Sequence, residues 1–88
     1  MKRRPNILIY MEILRLLLDA PNGPSRLSQA TGLNFPKFME FAAFLESKRL
    51  VRRETDADGR DVFYITTEGA ALRRDWEKVW GVLGPDVS

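Results

Sequence analysis

The stretch Ser25-Arg26-Leu27-Ser28-Gln29-Ala30-Thr31-Gly32-Leu33-Asn34-Phe35-Pro36 decides how the chain folds, because two helices must meet inside it. Ser25 follows the Pro21-Asn22-Gly23-Pro24 cluster and is placed as the N-cap of a short helix through Thr31, with Leu27 and Ala30 pointing inward. Gly32 breaks that helix, since a residue without Cβ enters the left-handed conformation freely, and Leu33 plugs the turn. Asn34 then caps a longer helix, expected over 35–48, whose second residue is Pro36. A missing amide hydrogen costs nothing there, because first-turn amides have no intrahelical acceptor. The spacing of Phe38, Phe41, Ala42 and Leu45 makes one buried face. Pro36, Glu40, Ala43 and Ser47 therefore point away, with Lys37, Met39 and Phe44 at the borders.

Upstream, residues 7–18 hold ten apolar residues and two polar ones, which predicts a helix over 6–19 with little solvent face. Asn6 is its expected cap. Ile7, Tyr10, Met11, Ile13, Leu14, Leu17 and Leu18 together exceed what one small core can use, so part of this helix is expected against another subunit. Downstream, the period changes at Leu50 from helical to alternating. Strands are expected over 50–55 and 61–66, joined by Asp56-Ala57-Asp58-Gly59-Arg60 with its Asp-Gly turn signal. Thr66 caps a last helix over 67–83, with Glu68 in its first turn, an apolar stripe of Leu72, Trp76, Val79 and Leu83 joined by Trp80, and Gly84-Pro85 as terminator.

The 88 residues make one domain, since autonomous folds need about 50–200 residues. Its parts are a basic arm (1–5), two helices and their turn (25–48), a hairpin (50–66), the last helix and a mobile tail (84–88). Neither cysteine nor histidine occurs. That excludes thiol nucleophiles, disulfides, thiolate or imidazole zinc sites and the commonest proton-transfer side chain. The remaining scattered carboxylates assemble no enzyme site, and no cofactor or metal is expected. Asp56-x-Asp58-Gly59-x-Asp61 hints at a calcium loop, but its glycine is fourth rather than sixth and Thr67 stands at the twelfth position; a polar turn is the preferred reading. Lys2-Arg3-Arg4 before the apolar run looks like a signal peptide, yet Glu12 and Arg15 interrupt the run and no small-residue cleavage site follows. The run is also too short to span a bilayer. A cytoplasmic, nucleoid-associated protein without a membrane partner is expected.

The net charge of +2 is the sum of unlike parts. Residues 1–53 carry ten basic and four acidic side chains, for +6, and residues 54–88 carry four and eight, for −4. An anionic partner would be held by the amino-terminal part.

The order helix, short helix, tight turn, helix, hairpin, helix resembles a winged helix-turn-helix, an α+β, mostly helical fold. Three pieces carry the likeness: Ser25 to Asn34 as second helix and turn, Leu45-Glu46-Ser47-Lys48-Arg49-Leu50-Val51 as the junction of recognition helix and wing, and Tyr64-Ile65-Thr66-Thr67-Glu68-Gly69 as the exit from the wing. The chain is most similar to small dimeric archaeal winged-helix regulators and chromatin-type proteins, and more distantly to MarR-like and PadR-like domains. The resemblance implies double-stranded DNA binding, with the third helix in the major groove, the wing beside backbone or minor groove, and a homodimer joined through terminal helices. Arg49 departs from the family pattern, standing where glycine usually ends the third helix.

Candidate DNA contacts follow from chemistry at those places. Lys37 is the best direct candidate on the third helix, and Arg26 in the first turn of the second suits a phosphate. Asn34 can touch base or backbone but is read first as the cap. Phe35 can meet a thymine methyl, although closing the turn as a partly buried residue is the preferred reading. Arg60 can reach a minor groove, and Lys2, Arg3 and Arg4 form a basic arm or a solvated terminus. Arg52 and Arg53 project to opposite faces of a strand, with one expected to pair with Glu54, Asp61 or another acid. The dimer seam is assigned to Ile7, Tyr10, Met11, Leu14, Trp76, Trp80 and Leu83. The alternative function is a protein-interaction module within a transcription or replication assembly.

Overall fold

A computed structural model describes residues 5–83, in the order α1 (Asn6–Asp19), α2 (Pro24–Thr31), α3 (Phe35–Ser47), β1 (Val51–Thr55), β2 (Asp61–Ile65) and α4 (Thr67–Leu83). Lys2, Arg3, Arg4 and the Gly84-Pro85 terminator lie outside the described residues. The helices begin and end where backbone chemistry dictates. Helix α1 is entered through Pro5 rather than through an Asn6 cap: Asn6 is already helical, and no side chain caps this end. Helix α2 starts one residue before the expected Ser25, because Gly23 takes the extended cap position and Pro24, with φ preset for a helix, takes the first turn. Asn34 caps α3 as expected, accepting from the Lys37 amide at 2.9 Å.

Five residues of α1 are buried: Ile9, Met11, Ile13, Leu14 and Leu17. They meet Leu27 of α2, the expected α3 face of Phe38, Phe41, Ala42 and Leu45, and Val51 and Phe63 from the hairpin. The Phe38 and Phe63 rings pack edge to face with centroids 5.9 Å apart, tying α3 to the sheet. Within α2 the inward positions differ from expectation. Ala30 is exposed, and Ser28 and Thr31 are buried instead. Their hydroxyls find carbonyls to donate to, Ser28 to Leu33 at 2.7 Å and Thr31 to Leu27 at 2.8 Å, which removes the penalty for burying them.

Strands β1 and β2 pair antiparallel, with Val51 opposite Ile65, Arg53 opposite Phe63 and Thr55 opposite Asp61. A third short piece joins them. Asn22, between α1 and α2, bridges to Phe63, its amide donating to the Phe63 carbonyl at 3.2 Å and its carbonyl accepting from the Phe63 amide at 2.8 Å. The hairpin is thereby fastened beside the start of α2. Asp56 organises the turn: its carboxylate accepts from the amides of Asp58 and Arg60, both at 2.9 Å.

Helix α4 contributes little to this core. Gly69 is its single buried residue, Trp76 packs on the core partly buried, and Leu72, Val79, Trp80, Val82 and Leu83 are exposed. Arg73 clamps it to α1, donating from Nε to the Met11 carbonyl at 3.0 Å and pairing with Glu77 at 3.6 Å.

Candidate nucleic-acid interface

The Asn22–Phe63 bridge brings the loop between β1 and β2 alongside the amino end of α2. A cleft of about 530 Å³ results, lined among others by Arg26 of α2, Phe35 of α3 and Arg60 of the hairpin loop. These three side chains come from three separate segments of the sequence, and each was a DNA-contact candidate. Arg26 and Arg60 are exposed and make no ion pair among the described residues. The orphan amides at the start of α2 add a positive helix end to the same cleft, an arrangement suited to phosphate. Asp56 and Asp61 also line it, so the cleft is not uniformly basic. Asp56 spends one carboxylate oxygen on turn amides, and Asp61 lies 3.6 Å from Arg53.

Phe35 is the correction that matters most here. It does not close the turn as a partly buried residue; it is 48% exposed at the first position of α3. Leu33, half-buried against the core, fills the turn, which leaves the Phe35 ring free to line the cleft. Asn34 uses its side chain on the cap. Lys37 is exposed but sits apart from the Arg26–Phe35–Arg60 group. Its ammonium lies 5.9 Å from the Phe41 ring centroid, and it lines a smaller groove of about 240 Å³ between α1 and α3 with Asn6, Tyr10, Glu40 and Phe44. The outward face of α3 is as expected: Pro36, Glu40, Ala43 and Ser47 are all exposed.

The arginines of β1 are both engaged within the chain. Arg52 pairs with Glu54 at 2.7 Å and lies over the Tyr64 ring, 4.8 Å from its centroid. Arg53, on the opposite face, pairs with Glu46 of α3 at 2.9 Å and lies over Phe63 at 5.1 Å. That pair braces the hairpin against α3, so Arg53 holds the wing's attitude to the helix rather than offering a free charge. One of these arginines is expected to pair with an acid; both do, Arg53 with Asp61 as well as with Glu46.

The seam residues divide into two groups. Met11 and Leu14 were assigned to it, but Leu14 is 0% exposed and Met11 is buried beside it, both spent on the chain's own core. Tyr10 is half-buried, stacked on Phe44 at 4.8 Å and edge-on to Phe41 at 5.1 Å. Ile7, Trp80 and Leu83 are exposed, Trp80 at 47%. Trp76 and Trp80 stack with centroids 5.5 Å apart, so α4 presents a preformed aromatic pair beside exposed Val79 and Leu83.

With that geometry established, comparison with known proteins assigns the class. The chain belongs to the winged helix-turn-helix family, whose model matches residues 3–82. No curated protein sequence matches it. Among solved structures it is similar to the transcriptional regulator BldR of Sulfolobus solfataricus, with 20% identity, a TM-score of 0.74, and 88% of this chain covering 60% of that one. It is also similar to MepR of Staphylococcus aureus, a transcription regulator of a multidrug efflux pump, with 20% identity, a TM-score of 0.80, and 90% of this chain covering 61% of that one. MepR in complex with DNA superposes with a TM-score of 0.77 at 20% identity, 86% of this chain covering 65% of that one. At these identities the likeness shows the fold. The chain spans about three fifths of the length of BldR and MepR.

Proposed function

We propose that the chain is a double-stranded DNA-binding module that works as a homodimer in transcription regulation or DNA architecture. One observation carries the reading: Arg26, Arg60 and the amino end of α2 converge on one cleft beside the exposed start of α3. Cations and helix-end amides at that place would grip the backbone while α3 enters the major groove. The complex of MepR with DNA supports the orientation by analogy of fold. Lys37 would approach the duplex from the other flank of α3, and Lys2, Arg3 and Arg4 would add backbone contacts. The chemistry is binding without catalysis, calls for no cofactor or metal, and fits a cytoplasmic, nucleoid-associated location. Among the described residues no helix is long and apolar enough to cross a membrane.

The dimer part of the reading rests on the outer face of α4. Trp80, Val79, Val82 and Leu83 are too apolar to face water without cost, and about 25 cal/mol is gained per Å2 of such surface covered. A second copy meeting this face by twofold symmetry would double the phosphate contacts and impose a half-site spacing on DNA. The test is fluorescence anisotropy with a random-sequence duplex at low salt, alongside light scattering of the free protein. Saturable duplex binding by a dimer is expected. Absence of binding to any duplex, with a stable protein partner recovered instead, would select an interaction module. That second reading is favoured by the wing, where Arg52 and Arg53 are both neutralised by carboxylates.

A further inference from the structure

The outward strip of α3 has an unusual chemistry for a helix placed in a major groove. Its centre is Pro36, Glu40, Ala43 and Ser47, and Phe35 stands exposed at its start. Between residues 35 and 47 there is no arginine, and the sole cation, Lys37, is drawn toward Phe41 on the flank nearest α1. The strip therefore lacks the guanidinium that reads guanine O6 and N7 bidentately. Glu40 cannot serve guanine, whose edge presents two acceptors, although it can accept from the N4 amino group of cytosine. What the strip offers is apolar surface from a ring, a pyrrolidine and a methyl, together with one strong acceptor.

On the major-groove edges of B-DNA the one apolar feature is the C5 methyl of thymine, and its partner adenine presents an N6 amino donor. Adenine and cytosine both offer an amino group to Glu40, so the methyl alone singles out A·T pairs for this strip. We infer that α3 reads thymine methyl groups through Phe35, Pro36 and Ala43, with Glu40 accepting from an amino group on the same edge. Phe35 is the principal reader. It lines the cleft that also holds Arg26 and Arg60, so cations that seat the backbone would fix the ring against the adjacent base edge. Specificity then comes from hydrophobic contact, while affinity comes from the arginines.

This inference rests on the DNA-binding reading above, and the experiment separates the two. Anisotropy titrations at one low salt concentration would compare equal-length duplexes of alternating dA-dT, alternating dA-dU and alternating dG-dC. Replacing thymine by uracil removes the methyl and leaves every hydrogen-bonding edge in place. Affinity should fall about fourfold from dA-dT to dA-dU for each methyl covered, with dG-dC no tighter than dA-dU. Phe35→Ala should bring the dA-dT to dA-dU ratio toward one, and Phe35→Leu should retain most of it. Arg26→Ala should weaken both duplexes by the same factor and leave the ratio unchanged. Equal affinity of the wild type for dA-dT and dA-dU would overturn thymine reading while DNA binding stands. A ratio unaltered by Phe35→Ala would overturn the role of Phe35, and no binding to any of the three would overturn both readings.

Discussion

The hydroxyl of Thr66 donates to the backbone carbonyl of Arg49 at 2.7 Å, and the Leu50 carbonyl lies 3.0 Å from the same oxygen. One side chain thus joins the turn after α3 to the residue that precedes α4. The same Thr66 oxygen accepts from the Gly69 amide at 3.0 Å, capping α4, while the Thr66 amide donates to the Leu50 carbonyl at 3.1 Å. The junction sets where α3 stops and where the hairpin hands over to α4.

Thr66→Val keeps the shape and removes the hydroxyl. It should destabilise the chain by about 1–2 kcal/mol, the usual cost of a lost cap, and Thr66→Ser should recover most of that. Urea unfolding followed by circular dichroism measures both. Equal stability of the valine variant would show that the cap does not matter here.

Arg49 adopts φ 61°, the only positive φ outside glycine among the described residues. A side chain costs about 1–2 kcal/mol in that conformation, against roughly 0.5–1 kcal/mol for the greater unfolded freedom of glycine. Arg49→Gly should therefore stabilise the fold by about 0.5–1 kcal/mol, and Arg49→Val should destabilise it. A destabilised glycine variant would contradict the strain account.

Gly69 and Gly81 lie on the same helix and give opposite signs. A Cβ on Gly69 would fall 2.1 Å from the Leu50 carbonyl oxygen, which already accepts from Thr66, whereas nothing lies within 4 Å of a Cβ on Gly81. Gly69→Ala should cost about 3 kcal/mol, at the upper end for an overpacked site. Gly81→Ala should gain about 0.5–1 kcal/mol from helix propensity. Thermal melts of the two variants decide the matter.

Trp80→Glu introduces a charge on the outer face of α4 without touching the core. Light scattering should show the wild type as a dimer and this variant as a monomer with nearly unchanged helicity. Leu14→Ala, by contrast, should lower stability by about 2–5 kcal/mol, as expected of a fully buried leucine. A monomeric wild type would remove the α4 seam.

Much of this was legible in the sequence because local chemistry dictated it. Asn34 before Pro36 announces a capped helix, and the period change at Leu50 announces the hairpin. What escaped reading depends on contacts between distant segments. Asn22, hidden between two prolines and read as a helix terminator, pairs with β2 and so brings Arg60 to Arg26. The polar stripe of Glu12, Arg15 and Asp19 on α1 is too narrow to divide the rest of a nearly all-apolar helix between core and seam, so Met11 and Leu14 are placed at the seam although both are buried, as is Ile9. Arg73 is not singled out by any sequence pattern used above. Its spacing from Glu77 was the one available signal, and its bond to Met11 joins positions 62 apart. Leu33 fills the turn as expected and leaves no room there for Phe35, whose ring is exposed instead.

The cleft between α2, the start of α3 and the hairpin loop should grip a DNA backbone through Arg26 and Arg60. The most direct measurement is the slope of log K against log salt for duplex binding, in the wild type and in the Arg26→Ala/Arg60→Ala double variant. Arg26 and Arg60 from two subunits make four phosphate contacts, so the double variant should lose about 3.6 from the magnitude of the wild-type slope. A flat salt dependence, or a slope unaltered by removing both arginines, would contradict it.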